Sequence, residues 1–273
     1  MNIELVIILF VIGIATGILS GMFGVGGGVI IVPSLIAVYS LVHFESPYLV
    51  HIAIATSLFT IIFTSLSSSH KHFKFGNVDI KAAFIIGMLS IVTVYLFSFI
   101  AVALQGETLK KIFSGVLIVV AVKMLLEKRN TGKDNKNLDG GSKPVNIYVC
   151  GFIGVLSGAI AAFSGLGGGV FVVPLIHYLM KFPFKKAIGT SSAAILLTAI
   201  AGVFSYFLNM PEGANPLPYS FGMVDVASAI PIIAASIPFT WLGVYINRKT
   251  NHHLLTRFFA LFILFVSLKL LFF

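Results

Sequence analysis

The chain has 273 residues, of which 58% are hydrophobic and only 10% are charged, and its formal net charge is +9. This composition excludes an ordinary soluble domain and is typical of a polytopic membrane protein. The positive charge does not indicate nucleic acid binding, because the lysines lie in short loops between apolar segments, where membrane topology accounts for them. The single cysteine, Cys150, excludes an intrachain disulfide and a cysteine-based metal cluster.

Ten apolar segments follow one another, five in each half of the chain. In the first half they lie at about 3–21, 28–42, 50–70, 78–104 and 112–127. In the second half they lie at about 147–162, 169–180, 187–208, 223–247 and 254–273. The hydrophilic stretch between them is too polar to pack and predicts a linker. We therefore divide the chain into a first transmembrane repeat, 1–127, a cytoplasmic linker, 128–146, and a second transmembrane repeat, 147–273.

A glycine-rich stretch ending in proline occurs once in each half, with a shift of 141 residues. The matching positions are Gly24, Gly26, Gly27, Gly28 and Pro33 in the first half, and Gly165, Gly167, Gly168, Gly169 and Pro174 in the second. Three adjacent glycines cost about 1 kcal/mol each inside a helix, so a helix break is predicted at both places. Broken helices are tolerated within a membrane only where they are buried in protein or line a cavity. Paired interruptions in two halves point to the binding site of a transporter.

The two halves resemble each other beyond the glycines. Thr56-Ser57 matches Thr190-Ser191 at a shift of 134, and the segment 75–79 matches 221–225 at a shift of 146. Each half contains an odd number of crossings, so the two copies are expected to be inserted upside down relative to each other. The predicted fold is an all-α polytopic membrane protein with an inverted-topology repeat. Each half would consist of a glycine-broken helical hairpin and three transmembrane helices.

The distribution of lysine and arginine predicts the orientation of the chain in the membrane. If the segments alternate across the bilayer, 15 of these residues fall on one side and 3 on the other. The richer side is the cytoplasmic one. The linker at 128–146 is therefore expected inside, and the loops at 43–49 and 209–222 and both termini outside.

The glycine stretches are the first candidate for a binding site. Their N–H groups are not covered by side chains, and the N-terminus of the short helix that follows attracts anions. In inverted halves, two such N-termini would converge on one point. Glycines can also serve close helix packing, and we assign that role to Gly13 and Gly17 and to their counterparts Gly154 and Gly158.

Hydroxyl pairs at the same place in both halves are the second candidate. Hydroxyl groups can bind the oxygens of an anion, but they can also bond to their own helix or bridge neighbouring helices. The pairs that recur are Thr56, Ser57, Thr190 and Ser191.

The acidic residues all fall at or near segment ends. A transporter that handles sodium or a metal usually places an acid within the membrane, so this pattern favours an anionic substrate. Asp79 and Asp225 begin the fourth segments and are interpreted as helix caps. Among the histidines, His72 is expected at the membrane interface, and His51 and His177 are candidates for proton relay. We expect no metal and no cofactor.

Taken together, the doubled glycine-proline stretch, the Thr-Ser pairs and the segment Phe75-Gly-Asn-Val-Asp79 resemble the TauE/SafE family of sulfite and organosulfonate exporters, also called the TSUP permeases. The resemblance covers nearly the whole chain. It implies a bacterial or archaeal transporter of the cytoplasmic membrane that moves small sulfur-containing or carboxylate anions, among them sulfite and sulfoacetate. The second half departs from the pattern at Met223, which replaces the counterpart of Asn77.

The sequence thus predicts a secondary transporter, an exporter or a facilitator, that moves a small oxyanion by alternating access around the two glycine turns. The expected partners are the anion and the lipid bilayer, with protons as a candidate driver. Two alternatives stay open at this point. One is an anion channel. The other is an intramembrane serine hydrolase, although the stretch 189–193 lacks the closing glycine of a nucleophile elbow.

Single-cysteine labelling tests the predicted orientation. In a background carrying Cys150→Ala, cysteines placed at 43–49 and 209–222 should react with an impermeant reagent from outside, and cysteines at 128–146 only from inside. Labelling of 128–146 from the external face would contradict the inverted assignment.

Overall fold

The computed structural model describes residues 3–44, 46–126, 145–210 and 219–249, together with eight positions between 257 and 271. Most of the predicted linker, 128–144, and part of the second external loop, 211–218, lie outside the described residues. The first half contains α1 (Ile3–Phe23), α2 (Gly28–Leu41), α3 (Leu49–Lys74), α4 (Ile80–Ala103) and α5 (Gly106–Leu126). The second half contains α6 (Ile147–Ser164), α7 (Gly169–Met180), α8 (Phe184–Leu208), β1 (Ser220–Phe221), β2 (Val224–Asp225) and α9 (Val226–Lys249).

The prediction of an all-α polytopic membrane protein is confirmed. Within the described ranges, six helices are long and apolar enough to cross a membrane, namely α1, α3, α4, α6, α8 and α9. The exception to an all-helical fold is the antiparallel pair β1 and β2, which turns at Gly222 with φ of 59°. Because this hairpin occupies residues that the sequence assigned to the fourth segment, α9 begins at Val226 rather than at 223. Helix α5 begins six residues earlier than expected.

Both predicted helix breaks are present. Gly24, Gly26 and Gly27 have φ of 66°, 78° and 87°, and the corresponding glycines of the second half have φ between 64° and 79°. A side chain disfavours this left-handed region, so glycine permits the chain to reverse here. Helices α2 and α7 begin directly after the turns, at Gly28 and Gly169. Pro33 and Pro174 lie inside these helices.

Helices of one half pack against helices of the other half, and these contacts occur in corresponding pairs. Helix α1 packs against α9 of the other half, and its counterpart α6 packs against α4. A Cβ atom on Gly13 would lie 2.5 Å from the carbonyl oxygen of Ile232, and one on Gly154 would lie 2.6 Å from that of Ile86. Ile86 and Ile232 are themselves related by the shift of 146. The packing role assigned to these glycines agrees with this geometry.

Helices α3 and α8 cross at the centre of the molecule and run antiparallel. Ser68 and Ser192 join them at one end through a hydroxyl–hydroxyl hydrogen bond of 3.0 Å. At the other end, Leu58 packs against Gly202. Since α3 and α8 are equivalent helices of the two halves, each half contacts the other in the same way.

Alanine at the packing glycines should weaken the assembly of the helices. Gly13→Ala and Gly154→Ala force a methyl group against a backbone carbonyl, and we expect a cost of about 1–3 kcal/mol in the free energy of unfolding. Thermal unfolding of the purified protein measures it. Gly115→Ala is the matched control, because a Cβ at Gly115 would meet open space. Equal stability of all three variants would contradict the packing role.

Candidate anion site at the two glycine turns

The structure brings the two glycine stretches into direct contact. A Cβ atom on Gly28 would lie 2.5 Å from the carbonyl oxygen of Gly165, and one on Gly169 would lie 2.7 Å from the Cα atom of Val25. The backbones of the two turns therefore approach so closely that a side chain at either position would collide with the opposite turn. All residues of both turns are buried.

Two helices begin at this junction without a side-chain cap. The residue that precedes α2 is Gly27 and the residue that precedes α7 is Gly168, and neither supplies a capping hydrogen bond. A helix leaves about four N–H groups without partners at its N-terminus. The same end carries a partial positive charge. The junction thus combines two N-termini that are suited to an anion.

Buried hydroxyl groups without a protein partner surround the junction. Thr16 on α1 lies against Gly27, and its counterpart Ser157 on α6 lies against Gly168. The hydroxyl oxygens of both, and those of Ser20 and Ser65, have no hydrogen-bond partner among the described residues. Ser65 Oγ lies 3.4 Å from the position that a Cβ of Gly26 would occupy. Buried polar groups are nearly always satisfied in folded proteins, so unsatisfied hydroxyls beside two uncapped helix N-termini make the junction a candidate ligand site.

The sequence interpretation did not single out these four hydroxyls. A signal was present for two of them, because Thr16 and Ser157 are related by the same shift of 141 as the glycines. Ser20 and Ser65 have alanines, Ala161 and Ala199, at the corresponding positions, so no repeat marks them.

The predicted Thr-Ser pairs lie beside the junction and bridge the two halves. Ser57 Oγ donates to the carbonyl oxygen of Gly165 at 2.9 Å, and Ser191 Oγ donates to that of Gly24 at 3.3 Å. The two bonds join corresponding residues, each running from one half to the turn of the other half. In this conformation the serines support the opposite turn, which is the bridging alternative noted from the sequence. Binding of an anion by these serines stays a prediction.

The threonines of the same pairs bond to the acids that begin α4 and α9. Thr190 Oγ1 accepts a hydrogen bond from the backbone N–H of Asp79 at 3.0 Å. Thr56 Oγ1 accepts the corresponding bond from Asp225 at 2.9 Å. In both α3 and α8, the threonine of the pair therefore bonds to the acid of the other half, and the adjacent serine bonds to the turn of the other half.

Asp79 and Asp225 both cap helices, as expected, but they differ in burial. Asp79 Oδ1 accepts from the N–H of Ala82 at 3.1 Å, and Lys186 Nζ lies 2.9 Å from its Oδ2. Desolvation acts to raise the pKa of Asp79, but the bonds from Lys186 and Ala82 outweigh it and lower the pKa from its ordinary value. Asp225 is only 3% exposed, because the hairpin and the neighbouring helices cover it. Asp225 thus lies at a segment end, as expected, but it is buried there.

The histidines are also more buried than expected. His72 is 1% exposed rather than interfacial, and its Nε2 donates to the carbonyl oxygen of Gly21 at 3.3 Å. The corresponding residue of the second half, Tyr206, donates to Ala162 at 2.6 Å in the same manner. His51 is buried as well and donates to the carbonyl oxygen of Ala101. These side chains therefore close helix ends.

Comparison with known proteins gives a consistent result. The family model described as sulfite exporter TauE/SafE matches residues 9–270. A probable membrane transporter protein of Haemophilus influenzae is 30% identical over 97% of both chains. Another, of Methanocaldococcus jannaschii, is 32% identical over 89% of this chain and 87% of its own. A third, of Bacillus subtilis, is 26% identical over 97% of both. None of the solved structures matches the chain.

Removal of the Thr-Ser pairs tests their role at the junction. Thr56→Ala with Ser57→Ala, or Thr190→Ala with Ser191→Ala, should leave the protein in the membrane but weaken transport. Each serine change also leaves a buried carbonyl without its partner, which costs about 1–3 kcal/mol. Membrane abundance and the apparent affinity for anion separate the two effects. Unchanged affinity in both double variants would restrict the pairs to helix packing.

Proposed function

Because the chain belongs to the sulfite exporter TauE/SafE family of membrane transporters, we propose that it is a secondary transporter of small oxyanions that binds its substrate between the two glycine turns. The substrates would be of the class of sulfite, organosulfonates and sulfoacetate. The protein would act as an exporter or facilitator in the cytoplasmic membrane. Membership of this family makes the chain a multi-pass membrane protein and a transporter rather than an enzyme.

The observation that supports the substrate class is the set of donors at the junction. The helices that meet there, α1, α2, α6 and α7, contain neither lysine nor arginine. The negative charge of a substrate would therefore be met by N–H groups of two helix N-termini and by hydroxyls, among them those of Thr16 and Ser157. Helix N-termini bind phosphate- and sulfate-like groups in this way. A hydrogen bond to a charged group is worth about 1.5–3 kcal/mol, so a few such donors suffice to hold a small anion.

The arrangement of α3 and α8 supports alternating access. These equivalent helices run antiparallel, so the two-fold relation between the halves is perpendicular to them. If both cross the bilayer, that axis lies in the membrane plane, which is the relation found in inverted-repeat transporters. Motion of one half against the other would then open the buried junction to one face of the membrane at a time.

Two other functions were open from the sequence. In an anion channel the substrate would pass through a continuous path, whereas here the backbones of the two turns touch, which favours a carrier. In a serine hydrolase a base would activate Ser191, whereas the Ser191 hydroxyl donates to the carbonyl oxygen of Gly24. Flux measurements in proteoliposomes distinguish a carrier from a channel, because saturation and counterflow are properties of a carrier.

Removal of the free hydroxyls tests the site directly. Thr16→Val and Ser157→Ala keep nearly the same shape and delete one donor each, and we expect each to weaken the apparent affinity for sulfite or sulfoacetate about tenfold or more. Stability should change little, because these hydroxyls have no hydrogen-bond partner to lose in the part of the chain that the structure describes. Uptake into proteoliposomes over a range of anion concentrations measures the effect.

The matched control is Ser114→Ala. Ser114 is a buried serine on α5 whose Oγ donates to the carbonyl oxygen of Lys110, one helical turn earlier. This variant should transport like the wild type. If Thr16→Val and Ser157→Ala also transport with wild-type affinity, the anion does not bind at the glycine turns.

A further inference from the structure

Asp225 is a buried carboxylate held by hydrogen-bond donors. Its Oδ1 accepts from the backbone N–H of Ser228 at 3.2 Å, and its Oδ2 accepts from the phenol of Tyr39 at 3.1 Å. Its own N–H donates to Thr56 Oγ1. Within the described residues, no cationic side chain forms an ion pair with it. The uncompensated charge of such a group is costly when it is removed from water.

The equivalent carboxylate of the repeat has a cationic side chain beside it, which balances its charge. Asp79, the counterpart of Asp225, is paired with Lys186. The residue of the first half that corresponds to Lys186 is Ile52, at the shift of 134, so the repeat supplies Asp225 with no lysine. Where Asp225 has Tyr39, the second half has Met180, at the shift of 141. The two acids thus occupy equivalent places, but only one carries a built-in counter-charge.

Hydroxyl groups cluster beside the Asp225 carboxylate. The side chains of Thr56 on α3 and Ser228 on α9 hydrogen-bond with the Tyr39 hydroxyl, which contacts the carboxylate, and Ser220 on β1 pairs with Asp225 in the hairpin. Ser220 Oγ is buried and has no hydrogen-bond partner among the described residues. The titratable group that faces the carboxylate is Tyr39 on α2. The segment 211–218, outside the described residues, contains Glu212 but neither lysine nor arginine.

We propose that Asp225, together with the hydroxyls of Tyr39, Thr56, Ser220 and Ser228, binds an exchangeable monovalent cation, either a proton or sodium. The single negative charge of the carboxylate balances one positive charge, and the neutral oxygens add ligands without adding charge. The ligands that a divalent transition metal needs are not assembled here, since the described residues contain no group of three or more His, Cys, Asp or Glu side chains. The cation takes the place that Lys186 holds beside Asp79.

The position of the site connects it to transport, and this step rests on the proposed function. Tyr39 belongs to α2, the helix whose N-terminus lies at the glycine junction, and Thr56 is adjacent to Ser57, which bonds to the opposite turn. Occupation of the cation site therefore acts on both elements that hold the junction. The coupling ion and the anion would occupy separate sites joined by α2 and α3.

Binding of the cation can be measured without any anion. Thermal unfolding of the purified full-length protein is followed from pH 8 to pH 5.5 without sodium, and at pH 8 with sodium chloride against choline chloride. A ligand that binds the native state stabilises it, so we expect a rise in Tm of about 2–4 °C on acidification if the ion is a proton, or on addition of sodium if it is sodium. Asp225→Asn should abolish this rise. Asp79→Asn, the matched control at the equivalent acid, should retain it.

A second variant distinguishes the two ions and does not depend on the folding of Asp225→Asn. Tyr39→Phe removes a hydrogen-bond donor from the negatively charged carboxylate, which favours a bound proton and should strengthen the stabilisation by acid. The same change removes an oxygen ligand of sodium and should instead weaken sodium stabilisation several-fold. The proposal is overturned if the wild type responds to neither ion, if Asp225→Asn keeps the response, or if Tyr39→Phe leaves it unchanged. Because no anion is present, these results are independent of whether the glycine turns bind substrate.

Discussion

The contact between the two glycine turns is the constraint on which the rest of the structure depends. The backbones meet at Gly28 and Gly165 and at Val25 and Gly169, at distances that leave no room for a Cβ atom. The preceding glycines adopt positive φ, which ends α1 and α6 and lets α2 and α7 start in new directions. Close approach and chain reversal both require glycine, so one short stretch decides where four helices begin or end. Side chains cannot fill this space, which is therefore lined by backbone groups and by buried hydroxyls.

The hydrogen bonds around the junction tie each half to the other. Ser57 bonds to the second turn and Ser191 to the first, while the threonines beside them receive the N–H groups of the opposite acids. A displacement of α3 is therefore transmitted to the second turn, and a displacement of α8 to the first. Because these bonds join the two halves, movement of one half against the other must break or exchange them. They also explain why Thr and Ser occur as adjacent pairs, since one residue holds the turn and the next holds the acid.

Much of this fold is predictable from local sequence. The apolar segments, both helix breaks and the duplication follow from hydropathy, from three adjacent glycines and from constant shifts between matching residues. The burial of Asp225 could not be predicted in this way, because it depends on the short hairpin at 220–225 and on Tyr39, which is 186 residues away in the chain. The same holds for His72, whose partner Gly21 is on another helix. Pattern analysis locates a polar residue along its own helix, whereas burial is decided by the helices that pack against it.

The differences between the halves carry information that the duplication itself does not. A symmetric pair of helix caps would need only Asp79 and Asp225, yet Lys186 neutralises one and a tyrosine contacts the other. Thr64 on α3 donates to the carbonyl oxygen of Gly26, whereas its counterpart Thr198 donates within its own helix to Ala194. Among the described residues, the first turn thus has a threonine bond for which the second turn shows no counterpart. A protein built from two copies can fix the region around one acid by a permanent ion pair and hydrogen bonds. The region around the other acid can then depend on what binds there. Asp225 provides the physical cause of such dependence, because the charge of a buried carboxylate must be balanced whenever it is closed off from water.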